Sequence, residues 1–312
     1  MKNIEGWMES LGLKANDPGD VPSSAKRFPD GAQYRIEIPS TEGPKALAAV
    51  IAEAKARKVT VHRVSQGSGI MLLTDGEIRE MMKLGRKQKM EVNLFLGPRA
   101  SWDTGAQAIS AAGKSIALSM RGANQLAQGV MDTVRAVELG CRSILISDIG
   151  SLAVTSQLRK AGKLPKNLII KTSVMMAPAN PASAKVLEDL GADTINVPSD
   201  LSLAQIASIR AAISKPIDFY VEAPDTIGGF IRYYDIAELI RVASPIYLKF
   251  GLRNSPDVYP SGTHLDNTVL ALSRERVRRA QIAFEFIGRL CPKAVMSALG
   301  AEDLGIPEIR SS

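Results

Sequence analysis

Ile217-Asp218-Phe219-Tyr220-Val221-Glu222-Ala223-Pro224-Asp225 alternates apolar and polar side chains up to a proline turn. Strand side chains alternate with period two, so Asp218, Tyr220 and Glu222 share one face and Ile217, Phe219 and Val221 the other. In a closed parallel barrel the apolar set packs on outer helices and the polar set points inward. Glu222 then stands at the carboxyl end, where the active sites of such barrels sit.

Working outward from this stretch, strands are predicted at 33–38, 59–64, 91–96, 143–148, 168–173, 194–198 and 246–250 besides 217–222. Helices are predicted from Pro44 to about Lys58, near 75–89, 121–140, 151–162, 180–190, 201–213 and 228–243, and at 268–290. Ser40-Thr-Glu-Gly-Pro44 reads as the cap and start of the first of these. Eight strand-and-helix units, punctuated by Gly, Pro, Ser and Asp, predict an α/β fold, a (β/α)8 TIM barrel over 31–292. Residues 1–30 form an irregular arm, with one amphipathic turn around Ile4 to Leu13, packing across the outside or bottom of the barrel. Residues 293–312 form a tail. The extra strand-like run Ser115–Met120 pairs with 94–100 as a hairpin-like insertion after strand three.

Length and composition agree with one large barrel: 312 residues, 45% hydrophobic. No run of 18 apolar residues occurs, and Met1-Lys-Asn-Ile-Glu-Gly-Trp-Met lacks the apolar core of a signal peptide. The expectation is a soluble cytoplasmic protein without a membrane partner, for which a homo-oligomer is compatible. Cys141 and Cys291 are too few for a disulfide framework or an all-cysteine metal site. The net charge of +7 is spread over helices, densest at Arg274–Arg279 and Arg86–Lys89. No aromatic platform accompanies these clusters, which argues against a nucleic-acid partner and leaves a mild preference for anionic ligands.

Where the outward residues are clearly apolar, alternation assigns Arg35, Glu37, Asn93, Phe95, Gly97, Thr194, Asn196, Asp218, Tyr220, Glu222, Tyr247 and Lys249 to the interior. Strands two, four and five are ambiguous. Because strands one, eight and seven are neighbours, Glu37, Lys249 and Glu222 are expected to form a carboxylate–ammonium–carboxylate row. Flanking carboxylates would keep Lys249 charged, as a carboxylate binder or proton donor rather than an imine-forming amine. Lys171 is the better position for imine chemistry. Glu37, Glu222, Lys249 and His264 are therefore the catalytic candidates, with His264 in the loop 251–267 that lies above the mouth as a lid.

Arg63, Gly67, Ser68, Arg99, Ser173 and Arg253 are the substrate-binding candidates. Arg63 and Arg99 are anion clamps, the amides of Gly67-Ser68-Gly69 can cradle an anion, and Arg253 belongs to the lid. His62 reads as a core histidine. The cofactor is left open: Glu37, Asp148 and Glu222 with one histidine offer oxygen ligands to a divalent metal, although Asp148 equally suits a helix cap, and no HxH or HExxH spacing occurs.

From Ile144 to Lys249 the chain resembles the bacterial collagenase-like peptidases of unassigned catalytic type. The similar pieces are Ser147-Asp-Ile-Gly150, Lys171-Thr-Ser-Val-Met-Met-Ala-Pro-Ala-Asn180, Lys185-Val-Leu-Glu-Asp-Leu-Gly191, Asp200-Leu-Ser-Leu-Ala-Gln-Ile206 and Ile217 to Glu222. The resemblance implies a barrel enzyme, nominally a hydrolase acting on a small or peptide-like anionic substrate. A lyase or aldolase working beside a carboxylate, and a non-catalytic ligand-binding barrel, are the alternatives. Family members follow the seventh strand with His-Gly and cysteines, and some hold an iron–sulfur cluster there. Glu222-Ala-Pro-Asp225 has neither, which argues against that cluster here.

Overall fold

The structure, a computed structural model, describes residues 4–15, 20–102, 110 and 118–309. Eight parallel strands run β1 Tyr34–Ile38, β2 Arg63–Ser65, β3 Glu91–Phe95, β4 Ser143–Ile146, β5 Ile169–Thr172, β6 Ile195–Asn196, β7 Ile217–Glu222 and β8 Ile246–Phe250. Their order, β5-β4-β3-β2-β1-β8-β7-β6, places β1 beside β8. The remaining gap is bridged where Lys171 pairs with Thr194 and the Thr172 amide donates to the Thr194 carbonyl (3.0 Å). The sheet is a barrel, as the alternation of strands and helices predicts.

Helices follow the strands: α1 Ile4–Ser10 in the arm, then α2 Pro44–Arg57, α3 Asp75–Lys87, α4 Gly122–Glu138, α5 Ile149–Lys160, α6 Pro181–Leu190, α7 Leu203–Ala212, α8 Ile236–Ala243 and α9 Asp266–Leu290. Local sequence explains their starts. Thr74 with Glu77, Asn180 with Ser183 and Ser202 with Gln205 close reciprocal capping boxes. At α2 the expected side-chain cap is missing: the cap position is Gly43, Pro44 supplies the first turn, and Glu42 turns its carboxylate elsewhere. The strand at 59–64 is shorter and later than expected, and the helix expected at 228–243 starts only at Ile236. The insertion after β3 falls mostly on 103–109 and 111–117, outside the described residues.

The apolar core lies between the barrel and its helices. Ile36, Ile38, Val64, Val92, Leu94, Ile144, Ile146, Ile170, Phe219, Val221 and Leu248 all face outward into it. The arm and tail close the amino end. Phe28 lies under the Arg35 guanidinium (3.9 Å to its ring centre) and packs edge-on against Tyr247 at 5.4 Å. From the tail, Asp303 pairs with Arg35 and the Gly305 amide donates to Glu91 (3.1 Å). The end of the arm around Phe28 therefore packs at the bottom. Beside it a cavity of about 310 Å³ reaches Glu91, Thr194 and Tyr247. No described helix is long and apolar enough to cross a membrane.

Candidate functional site

The barrel interior is a column of buried polar groups. Glu37, Arg63, Glu91, Asn93, Lys171, Asn196, Asp218 and Lys249 are each at most 2% exposed. Burying charge is costly unless partners supply compensating hydrogen bonds, so the pattern of partners decides what the column can do.

Glu37 is its hub. Arg63 Nε donates to Oε2 (2.7 Å), Ser65 Oγ to Oε1 (2.7 Å), and Lys171 Nζ contacts both oxygens. Lys249 Nζ stands 3.7 Å from Oε1. Burial alone would raise the pKa of Glu37, but Arg63, Lys171 and Lys249 together hold it well below the usual carboxylate range. Arg63 also bonds Asp218, donates to Thr194 Oγ1 (3.3 Å) and stacks 3.6 Å from the Tyr247 ring centre. This corrects its expected role. Arg63 is saturated by internal acids, lies in β2 rather than in a loop, and is not free to grip a substrate anion.

Two amines share the hub. Lys171 has no solvent exposure, and burial followed by the nearby Arg63 lowers its pKa to about 7. Lys249, 2% exposed, lies 4.0 Å from the Tyr220 ring centre and interacts with Lys171; burial lowers its pKa as well. Asn196 satisfies both neighbours with its amide oxygen toward Lys249 Nζ (2.6 Å) and its nitrogen toward the Asp218 carbonyl (3.1 Å).

The expected carboxylate–ammonium–carboxylate row does not form. A bulge between Tyr220 and Glu222 shifts the register, so that Glu222 pairs with Phe250 while Tyr220 pairs with Lys249. Glu222 thereby leaves the interior face. It accepts from the Tyr233 hydroxyl (2.9 Å) and the Arg253 amide (3.0 Å), and lies 3.4 Å from Arg279 Nε on α9. In its place Lys171 joins Lys249 around Glu37, giving an ammonium–carboxylate–ammonium arrangement. The bulge removes Glu222, and Lys171 enters independently from β5.

The remaining candidates separate. Gly67 and Ser68 do form an anion cradle, but its anion is internal: their amides donate to Glu42 Oε1 (2.6 Å) and Oε2 (3.1 Å). Tyr259 of the loop after β8 covers them. A Cβ at Gly67 would sit 2.5 Å from the Tyr259 ring, so only glycine fits. The Tyr259 hydroxyl also meets Ser40 Oγ at 2.5 Å. The loop thus lies over the mouth as expected, yet its two named candidates do not: His264 is exposed in the turn Thr263–Leu265, and Arg253 pairs at the surface with Asp225 (2.9 Å). Ser173 accepts from Met175 N (3.2 Å) and caps a turn.

Asp148 caps α5 through the Ser151 amide (2.7 Å), and Glu37, Asp148 and Glu222 have unrelated partners. Among the described residues no three His, Cys, Asp or Glu side chains converge on a metal-sized site, which corrects that ligand set. His62 is a core histidine: Nδ1 accepts from the Ile36 amide (3.1 Å), Nε2 donates to the Ser297 carbonyl (2.8 Å), and burial lowers its pKa to about 4. Arg99 stays at the mouth, between Phe95 and Trp102.

Glu91 is the group sequence reasoning missed, and Lys171, named there for imine chemistry, was not assigned to the interior. A signal existed: each is a lone charge in a strand that is otherwise apolar or polar-neutral, and a charge in a buried strand needs an interior partner.

The sequence model of peptidase family U32 matches residues 116–223, so the resemblance to collagenase-like peptidases holds over about a third of the chain, including β5 with Lys171 and all of β7. No curated protein matches the sequence. Among solved structures, a U32 peptidase is similar with 14% identity and a TM-score of 0.45 over 75% of this chain and 98% of that one. A truncated 3-deoxy-D-arabino-heptulosonate 7-phosphate synthase from Thermotoga maritima has 14% identity and a TM-score of 0.45 over 88% and 95%. Orotidine 5′-monophosphate decarboxylase from Methanocaldococcus jannaschii has 12% identity and a TM-score of 0.41 over 85% and 99%.

Proposed function

We propose that this barrel, similar in its middle third to peptidase family U32, is a lyase of the aldolase type acting on a small carbonyl compound that carries an anionic group. The observation supporting this reading is the pair Lys171 and Lys249 around Glu37, with Asp218 3.9 Å from Lys171 and both ammonium pKa values lowered by burial. A lysine beside other cations in a desolvated site is shifted toward its neutral amine, the form that attacks a carbonyl. Lys249 is the amine that meets substrate, because Lys171 has no exposure at all. It adds to the carbonyl carbon and expels water, and the iminium so formed draws electrons from the adjacent bond. Lys171, behind it and out of reach of substrate, exchanges protons with Lys249 at a pKa matched to neutral pH. Tyr220 and Asn196 orient Lys249.

The test is borohydride reduction during incubation with a panel of 2-oxo acids and aldehydes, followed by peptide mass analysis. Reduction should fix one substrate on Lys249, and Lys249→Met should abolish both adduct and turnover. An adduct only on surface lysines, equal in Lys249→Met, sinks the reading.

A hydrolase is the second reading, and it too has an observation behind it: Lys171 Nζ lies 3.4 Å from Ser65 Oγ. A neutral Lys171 beside a serine is the arrangement of Ser–Lys hydrolases. Labelling of Ser65 by a fluorophosphonate, with no borohydride adduct from any carbonyl compound, would move the assignment to this class.

A further inference from the structure

Buried guanidinium groups normally sit against carboxylates. Arg99, at the carboxyl end of β3, does not. It is 4% exposed, and among the described residues no carboxylate oxygen lies within 4.0 Å of it. Its Nη2 donates to the carbonyls of Gly67 (3.0 Å) and Ser68 (3.3 Å), and its plane is held between Phe95 and Trp102, 4.1 and 3.9 Å from their ring centres. Nε is buried without an acceptor. The side chain is fixed on both faces and along one edge while part of its donor set stays unused.

Arg276 on α9 repeats the pattern across the same wall. It is 4% exposed, donates to the Ser40 carbonyl (3.3 Å) and, among the described residues, has an unpartnered Nε and makes no ion pair within 4.0 Å. The acid that both arginines sense is Glu42, whose oxygens are taken by the Gly67 and Ser68 amides. Two buried guanidinium groups thus share the field of one distant carboxylate with those of Tyr220 and Tyr259. A wall of this kind attracts an anion and offers it a prepositioned, weakly hydrated fork.

We infer that Arg99 receives a second anionic group, a phosphate or a carboxylate, on the ligand whose carbonyl end meets Lys249. Arg276 supplies field from behind. The inference rests on the lysine reading for the identity of that ligand, but binding of the anion itself does not require it. A structural clip would also hold the loops of β2 and β3 together, and the two roles differ in whether an added anion is felt.

Trp102 provides the readout. The sequence has two tryptophans, the other being Trp7, exposed on α1. In a Trp7→Phe background, Trp102 fluorescence is followed while inorganic phosphate and, separately, succinate are titrated. A saturable change with at least one of them is expected, and the one that saturates identifies the anion. Arg99→Met should weaken that Kd at least tenfold, and Arg99→Lys, which keeps the charge and loses the planar fork, by less. No saturable response to either anion overturns the inference, as does an unchanged Kd in the variants. If Arg99→Met does not fold, Arg99→Lys decides alone. Lys249→Met should leave the titration as it is. An intact, Arg99-dependent titration with no borohydride adduct therefore overturns only the lysine reading.

Discussion

The two ends of the barrel treat buried positive charge differently. At the amino end Arg35 has Asp303, Arg142 has Glu308 and Arg159 has Asp193, each as a direct ion pair. Arg210 has no acid there, and the Ile213 carbonyl just past the end of α7 takes that place. At the carboxyl end Lys171 and Lys249 share Glu37, while among the described residues Arg99 and Arg276 have no carboxylate within 4.0 Å. Pairing at one end holds the arm and tail in place. Surplus at the other leaves interactions for something that is not part of the chain, and that is the end where barrel chemistry takes place.

Substitutions can break this contrast. The largest effect is expected at the hub: Glu37→Gln removes the carboxylate that Lys171 touches and leaves Arg63, Lys171 and Lys249 to share Asp218, and should cost about 3–5 kcal/mol of stability in urea unfolding. A loss under about 1 kcal/mol would mean that water reaches the column and screens it. Arg35→Met should cost roughly 3 kcal/mol, because it strips Asp303 of its partner at the amino end, without changing ligand binding at the mouth.

His62 sharpens the same contrast through pH. Its folded pKa is about 4 and its unfolded value about 6.5, so between them the unfolded chain binds a proton that the folded chain does not. Its contribution is therefore complete above the unfolded value and is lost as pH falls toward the folded one. Stability should drop by on the order of 3 kcal/mol across that window, and His62→Gln should flatten the drop in thermal melts at several pH values. The smallest effect is expected at Arg99→Met, within about 1 kcal/mol of wild type or slightly stabilising, since no ion pair is broken. A large loss there would reclassify Arg99 with the paired arginines of the amino end.

Much of the architecture was legible because strand and helix periods and their turn residues agree along the chain. The interior was legible wherever outward neighbours are apolar, as at Asp218-Phe219-Tyr220 or Tyr247-Leu248-Lys249. It was not legible at Ile169-Ile170-Lys171-Thr172, where two isoleucines in a row hide the parity. Glu222 was misread for another reason: alternation assumes an unbroken register, and a bulge leaves no mark in residue types. The cradle at Gly67-Ser68 was chemically right, but pattern alone cannot tell a ligand carboxylate from that of Glu42. Arg99 was placed at the mouth correctly, while its lack of an acid is visible only in three dimensions.

The tail's passage across the amino end also governs how the molecule comes into being. Arg35 is 268 positions from Asp303, Glu91 is 214 from Gly305 and His62 is 235 from Ser297. On a ribosome the first strands emerge long before the groups that complete them. Their charges must remain in water, or with a chaperone, until nearly the whole barrel has been made. Such distant closures slow the search for the native state and make fragments ending before residue 297 prone to stick to one another.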